Sequence, residues 1–299
     1  MDISIIIPFY QKHVTLERCL QSIRFSELEM EMIVVDDGSN PSLNVDIQNQ
    51  YKNLVVLTTE NNGPGYARNF GAKHANGKYL LFLDADDFLE ERFETIMLAF
   101  IKKKVDVIVG GFKYVSKTAS RLPFLSHEDQ QQMFFRPKDY NIKEFRQVLD
   151  FFAAGTTLVK RDFFLQTLGY YEKNKATFGE DIFLWFQVML KSSMIYRVNK
   201  VVVHVDDSHS QLGINRKNNR PVSVLAKCPA RLFAPYCQYK SLNFVRSFLR
   251  EYRKQALMRI IWEGQLKEFY WFLINYPGQV FSKRVLTYSI KRILLHVKK

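Results

Sequence analysis

The sequence predicts an α/β chain built on a mostly parallel central sheet with helices on both faces, and three observations carry that prediction. Short apolar runs recur through the first two hundred residues, separated by stretches of helical spacing. Two of these runs end abruptly in acids: Met32 to Val35 runs into Asp36 and Asp37, and Tyr79 to Leu83 into Asp84, Asp86 and Asp87. Through Val109 the order reads β-α-β-(α)-β-α-β-α-β, which needs crossovers that cover both faces.

Ile3 to Ile7 is a β-branched run stopped by Pro8, leaving Phe9 and Tyr10 at a strand end. Aromatics there can stack on a flat ligand or simply cap the core. Thr15, Leu16, Leu20 and Ile23 give two turns of helix, and Leu54 to Leu57 reads as the third strand. The loop Asn61 to Gly65 enters a helix carrying Ala67, Arg68 and Ala72 that stops near Gly77. A glycine-rich helix entry can bind phosphate, although the P-loop lysine and hydroxyl are missing. Phe93 to Phe100 is an amphipathic helix and Val105 to Val109 a strand. Ser116 to Asp139 is polar, with two prolines, and reads as a mobile connection or flap. Ala153 to Lys160 gives a strand and Arg161 to Leu168 a helix ending at Gly169. Glu180 and Asp181 open a strongly apolar helix, and Val201 to Val205 is a last strand, carrying His204.

Composition narrows the class. At 299 residues and 47% hydrophobic content the chain is globular, with no apolar segment near the ~18 residues of a membrane span. The run at Ile3 is too short for a signal-peptide core, and three scattered cysteines fit a reducing compartment. The net charge of +13 is uneven: residues 240–299 hold thirteen Lys or Arg against three acids.

Acids at strand C-terminal edges border the crevice where open α/β sheets bind ligands, and clustered negative charge there calls for a partner. Asp84 and Asp86, two apart, point the same way in extended chain, and their oxygens suit magnesium or manganese shared with substrate phosphates. A lone DxD is equally met by a solvated turn and a helix cap. Asp181 in a first helical turn likewise complements the helix dipole without any chemistry.

Together, IIIPFY at 5–10, VVDDGS at 34–39, ARNFGA at 67–72, GKYLLFLDADD at 77–87 and GEDIFLW at 179–185 closely resemble family 2 glycosyltransferases of the GT-A fold, over about residues 1–210. The resemblance implies a Rossmann-like nucleotide-sugar domain at 1–213 joined to a helical C-terminal region at 214–299, and an inverting, metal-dependent transfer from a nucleotide-sugar donor. It places Pro8, Tyr10 and Asp37 at the base, with Asp37 accepting from an imide N–H, which favours uridine. Arg68 joins the base or diphosphate pocket, Asp84 approaches the ribose and donor sugar, and Asp86 binds Mn2+ or Mg2+. Asp181 matches the general base, with Glu180 and Trp185 on the acceptor side, and His204 is carried over as a second metal ligand. Gln11 departs from the asparagine frequent in relatives.

In the tail, Leu286, Ile290, Ile293, Leu294 and Val297 form one helical face with basic residues largely off it. This suits peripheral contact with the inner face of the membrane by a cytoplasmic protein, or packing on its own core or a sister chain in a homo-oligomer. A glycan or lipid-linked saccharide is the expected acceptor. Nucleic-acid binding lacks any accompanying signature, and a nucleotide-sugar binder without turnover is disfavoured by the intact Asp86 and Asp181.

Overall fold

The computed structural model describes residues 1–123, 133–176, 178–208 and 221–289. Its strands are β1 (Ile3–Phe9), β2 (Met30–Asp37), β3 (Leu54–Thr59), β4 (Tyr79–Phe82), β5 (Phe88–Leu89), β6 (Val107–Tyr114), β7 (Ser120–Arg121), β8 (Phe134–Phe135), β9 (Thr157–Lys160) and β10 (Ile195–Val205). The helices are α1 (His13–Ser22), α2 (Pro64–His74), α3 (Phe93–Ile101), α4 (Ile142–Leu149), α5 (Arg161–Phe164), α6 (Glu180–Lys191), α7 (Val224–Lys227), α8 (Leu242–Glu263), α9 (Leu266–Asn275) and α10 (Pro277–Val280).

The sheet runs β3-β2-β1-β4-β9-β6-β10-β5, with β7 on β6 and β8 on β10. The long strands pair in parallel, β3 with β2, β2 with β1, β1 with β4 and β6 with β10. Period-two alternation divides their side chains between two cores. Ile3, Ile5, Ile7 and Phe9 of β1 pack with Leu16 and Leu20 of α1 and Met97 of α3. Ile6, Ile33, Val35, Leu80 and Phe82 face the other way, onto Ala67 and Ala72 of α2 and the apolar side of α6. Helices therefore cover both faces, as the alternation demands.

Two departures stand out. β9 inserts antiparallel between β4 and β6, so the strand after α3 is not the neighbour of β4. Its four residues, TLVK, carry no directional signal, because a short strand buried on both faces looks alike in either sense. The second is α4, signalled by Asn141 and Glu144: the asparagine side chain takes the Lys143 and Glu144 N–H groups, and Glu144 bonds back to the Asn141 N–H. The helix expected over Arg161 to Leu168 is only α5, its end loosened where the Thr167 hydroxyl binds the Phe164 carbonyl at 2.7 Å.

Beyond residue 221 the chain is helical among the described residues, and its packing changes along the way. Phe233, Val245, Phe248 and Leu249 join the core of α6, whereas Leu257, Ile260, Phe272, Val280 and Val285 form a smaller cluster of their own. Residues 124–132 of the expected flap, His209, and the tail positions Ile290, Ile293, Leu294 and Val297 lie outside the described residues.

Candidate active site

The C-terminal ends of β1, β2 and β4 and the heads of α2 and α6 surround a cavity of about 670 Å³. Its walls carry Pro8, Tyr10, Asp37, Arg68, Asp84, Asp86, Glu180 and Asp181, eight of the ten residues that the sequence singles out. β6 and β10 run in the same sense as β4, so their ends reach this edge as well.

Asp37 closes β2 and is buried. Its Oδ1 accepts from the Thr59 hydroxyl and the Asn62 N–H, both at 2.9 Å, and its Oδ2 from the Gly63 N–H at 2.7 Å. The carboxylate thus anchors the loop that enters α2. Gly63, at φ 93°, caps that helix, and a side chain there would press on the Lys175 backbone at 3.0 Å. Three donors fill most of a carboxylate's roughly four acceptor positions, leaving about one for a ligand. Tyr10, 44% exposed, stands beside it on the wall with Pro8.

Each acid of the Asp84–Asp86 pair meets a cation of the chain. Arg68 Nη2 donates to Asp84 Oδ1 at 2.6 Å and Nη1 to Glu180 Oε1 at 3.2 Å, and its guanidinium lies 5.0 Å from the Tyr170 ring centre. Burial works against the Arg68 charge, and the neighbouring carboxylates outweigh it, so the group stays protonated. Lys12 Nζ donates to Asp86 Oδ2 at 2.6 Å. Burial and then Asp84 push the Asp86 carboxyl up, and Lys12 opposes the shift. Among the described residues no three or more His, Cys, Asp or Glu cluster to hold a metal. The pair does fit a hard cation that takes one or two carboxylates and completes its shell with substrate phosphates and water.

At the head of α6, Gly179 adopts φ 82°, a conformation suited to glycine, and a side chain there would collide with the Ser223 hydroxyl. Glu180 and Asp181 follow in the first helical turn, where the helix dipole favours their ionised forms. Burial wins over it. The Glu180 carboxyl is pushed up to about 7 by burial and then by Asp181, against the pull of Arg68. Asp181 also moves upward through burial, while the Ile182 N–H, donating to its Oδ1 at 2.7 Å, opposes the shift. No side-chain donor bonds to Asp181 among the described residues.

Two expected site residues lie elsewhere. Trp185 is fully buried against Phe152 and Tyr170, one turn below Asp181 on the core side of α6, and cannot meet an acceptor. His204 is not brought to Asp86: its Nε2 pairs with Glu90 Oε2 at 2.8 Å and its ring stacks on Phe88, across the β10–β5 pairing. Asp206, not His204, adjoins the acidic turn. Its N–H donates to Asp87 Oδ1 at 2.9 Å, and Arg18 Nη2 bridges its carboxylate at 2.5 Å to the Asp86 carbonyl at 2.8 Å. Lys12 and Lys175, both on the cavity wall, have no place in the sequence reading. Lys12 was legible only as a base just beyond the first strand end.

Comparison with known proteins bears on the family and the fold. Residues 4–168 match the family described as glycosyl transferase family 2. Over 126 residues the chain is 36% identical to the poly(ribitol-phosphate) beta-glucosyltransferase of Bacillus spizizenii, covering 39% of this chain and 20% of that protein. Over 125 residues it is 33% identical to the poly(ribitol-phosphate) beta-N-acetylglucosaminyltransferase TarS of Staphylococcus aureus, covering 39% and 22%. The match thus spans about a fifth of the length of these curated relatives. Among solved structures, S. aureus TarS 1-349 in complex with UDP aligns at a TM-score of 0.65 and 17% identity over 100% of this chain and 92% of that one. The complex of TarS 1-349 with UDP-GlcNAc aligns at 0.62 and 20% identity, over 98% and 79%. At such identities the likeness is one of fold, the GT-A arrangement with a helical C-terminal region. Sequence, sheet order and the family match over more than half its length agree, and the chain belongs to glycosyl transferase family 2.

Proposed function

We propose that the chain transfers a hexose-type sugar from a uridine diphosphate sugar to a hydroxyl of a glycan or lipid-linked acceptor in surface polysaccharide synthesis, inverting the anomeric centre. The observation that carries this reading is the gathering of Asp37, the cation-matched Asp84 and Asp86, and Asp181 around one cavity. The two relatives are named for transfer to poly(ribitol phosphate), and one TarS complex holds a uridine donor. A polyanionic acceptor of that kind would also suit a net charge of +13.

The roles follow from the walls of the cavity. Tyr10 and Pro8 flank the base, and the acceptor position left on Asp37 takes the uracil imide N–H. Arg68 and Lys175 offer positive charge to the diphosphate. Asp84 and Asp86 would hold Mn2+ or Mg2+, which when bound neutralises charge on the leaving diphosphate. Asp181 takes the proton of the acceptor hydroxyl, and a carboxyl with a raised pKa is the better base for it. One base opposite the leaving group is all that inversion needs, so an α-linked donor gives a β-linked product.

Nucleotide release from a panel of donors tests this reading. UDP-hexoses should show slow hydrolysis that excess chelator abolishes and manganese or magnesium restores, GDP-sugars should show none, and Asp86→Asn should lose more than Asp84→Asn. Full turnover in chelator removes the metal, and equal turnover of GDP-sugars removes the uridine assignment.

Location is a separate part of the proposal. No helix among the described residues is long and apolar enough to cross a membrane. On α9, however, Leu266, Tyr270 and Ile274 recur at four-residue spacing and are 69%, 60% and 78% exposed. Such a stripe in a strongly basic segment suits peripheral binding to an anionic leaflet, at a cytoplasmic membrane face. The protein should therefore sediment with phosphatidylglycerol vesicles and not with phosphatidylcholine ones, and Tyr270→Glu with Ile274→Glu should release it. Unchanged sedimentation of that double variant removes α9 from the contact.

A further inference from the structure

We propose that Lys12 is a tethered cation that holds Asp86 until the donor arrives, so that the protein takes up a divalent ion together with the diphosphate rather than before it. The proposal rests on the donor and metal reading above and adds a positioning residue to it.

Both acids that would hold the ion are already neutralised. Arg68 lies 2.6 Å from Asp84, and Lys12 lies 2.6 Å from Asp86. A divalent ion entering the donor-free cavity meets two carboxylates whose charge is already matched, and it is repelled by the cations that match it. The Lys12 and Asp86 side chains are only 19% and 16% exposed, so water screens their attraction poorly.

The two cations differ in the shape of their charged groups. Arg68 is buried between Asp84 and Glu180 over the Tyr170 ring, a three-sided fixture for a planar fork. Lys12 instead carries a compact ammonium on a four-carbon stem. Its backbone is pinned: its carbonyl accepts the Thr15 and Leu16 N–H groups at the head of α1, and the Gln11 N–H next to it bonds to the Ser39 hydroxyl at 3.0 Å. In the proposed exchange the stem turns while its root stays in place.

An arriving diphosphate gives the ammonium new oxygen partners inside the same cavity. Once Lys12 turns to them, Asp86 is released as a metal ligand, and phosphate oxygens supply further ligands. Each of the two, nucleotide and ion, thereby improves the site of the other, and linkage makes that coupling reciprocal.

Manganese binding, read from the free-ion electron paramagnetic resonance signal, tests this with and without UDP. Wild-type protein should bind Mn2+ at least ~10-fold more weakly without UDP than with it, within the usual span of coupling between sites. Lys12→Met should gain ~10-fold in UDP-free Mn2+ affinity. Lys12→Arg should stay as weak as wild type, and Lys175→Met, which removes another lysine of the cavity wall, should not reproduce the gain. Unchanged or weaker UDP-free binding by a folded Lys12→Met overturns the proposal, as does an equal gain in Lys175→Met. If melting curves show Lys12→Met unfolded, Lys12→Gln, which keeps a donor for Asp86 without the charge, is judged by the same criterion. Calorimetry of UDP in chelator separates the two readings: absence of UDP binding to wild type sinks the donor site itself. UDP binding with no gain in Lys12→Met sinks only the role of Lys12.

Discussion

Asp181→Asn should lower transfer by ~10²–10⁴ while leaving donor affinity nearly intact, because a general base acts on the acceptor hydroxyl and not on the nucleotide. The amide keeps the shape of the side chain and can still accept the Ile182 N–H, so the head of α6 survives. It also removes a like charge from Glu180, whose carboxyl Asp181 pushes up. The melting temperature should therefore hold or rise. A residue that merely completes the helix start gives the opposite pattern, a stability loss of ~1 kcal/mol with full turnover of the folded fraction. In the wild-type enzyme kcat/KM should rise with pH, its acidic limb set by the Asp181–Glu180 pair and displaced above the usual carboxylate range by burial. Donor calorimetry, a melting curve and a transfer assay on the one variant decide. Wild-type transfer with a lowered melting temperature excludes Asp181 as the base.

What the sequence conveyed and what it withheld follow from the range of the signals. The β1, β2 and β4 runs, and the acids that end the latter two, are local features, written in consecutive residues, and eight expected site residues do line one cavity. The errors concern residues whose surroundings come from distant segments. Trp185 sits four positions after Asp181, on a helix apolar nearly all round, so only the packing of Phe152 and Tyr170 determines that it faces the core. His204 ends a strand at the correct edge, yet its partner is fixed by the two-residue strand β5, too short to read, which brings up Phe88 and leaves Glu90 beside the ring. Lys12 reaches Asp86 across 74 positions of chain. No periodicity encodes such a contact. The direction of β9 was hidden for the same reason, since two-sided burial erases the alternation that would have marked its pairing.

Arg68→Met should give the largest loss of stability of any substitution in the site, and the loss should deepen as pH rises. The guanidinium is the shared partner of Asp84 and Glu180. Removing one member of a buried pair leaves an uncompensated charge, typically a loss of roughly 3–5 kcal/mol, and the lower end applies here because the Asp84 side chain is 35% exposed and screened by water. Glu180 sets the pH dependence. Its folded carboxyl lies near 7 against an ordinary value of 4.5, so the native state binds the proton more tightly than the unfolded chain does. Stability from this group is thus complete below about 4.5 and is lost as pH rises to about 7. Arg68 holds that carboxyl down, so without it the folded value climbs further and the loss continues into the alkaline range. Urea unfolding at pH 5 should show a modest penalty and at pH 8 a larger one, and Glu180→Gln added to Arg68→Met should recover most of the difference between the two. An equal penalty at both values, or no recovery in the double variant, would mean that Arg68 supports the fold through its packing on Tyr170 and not through its charge.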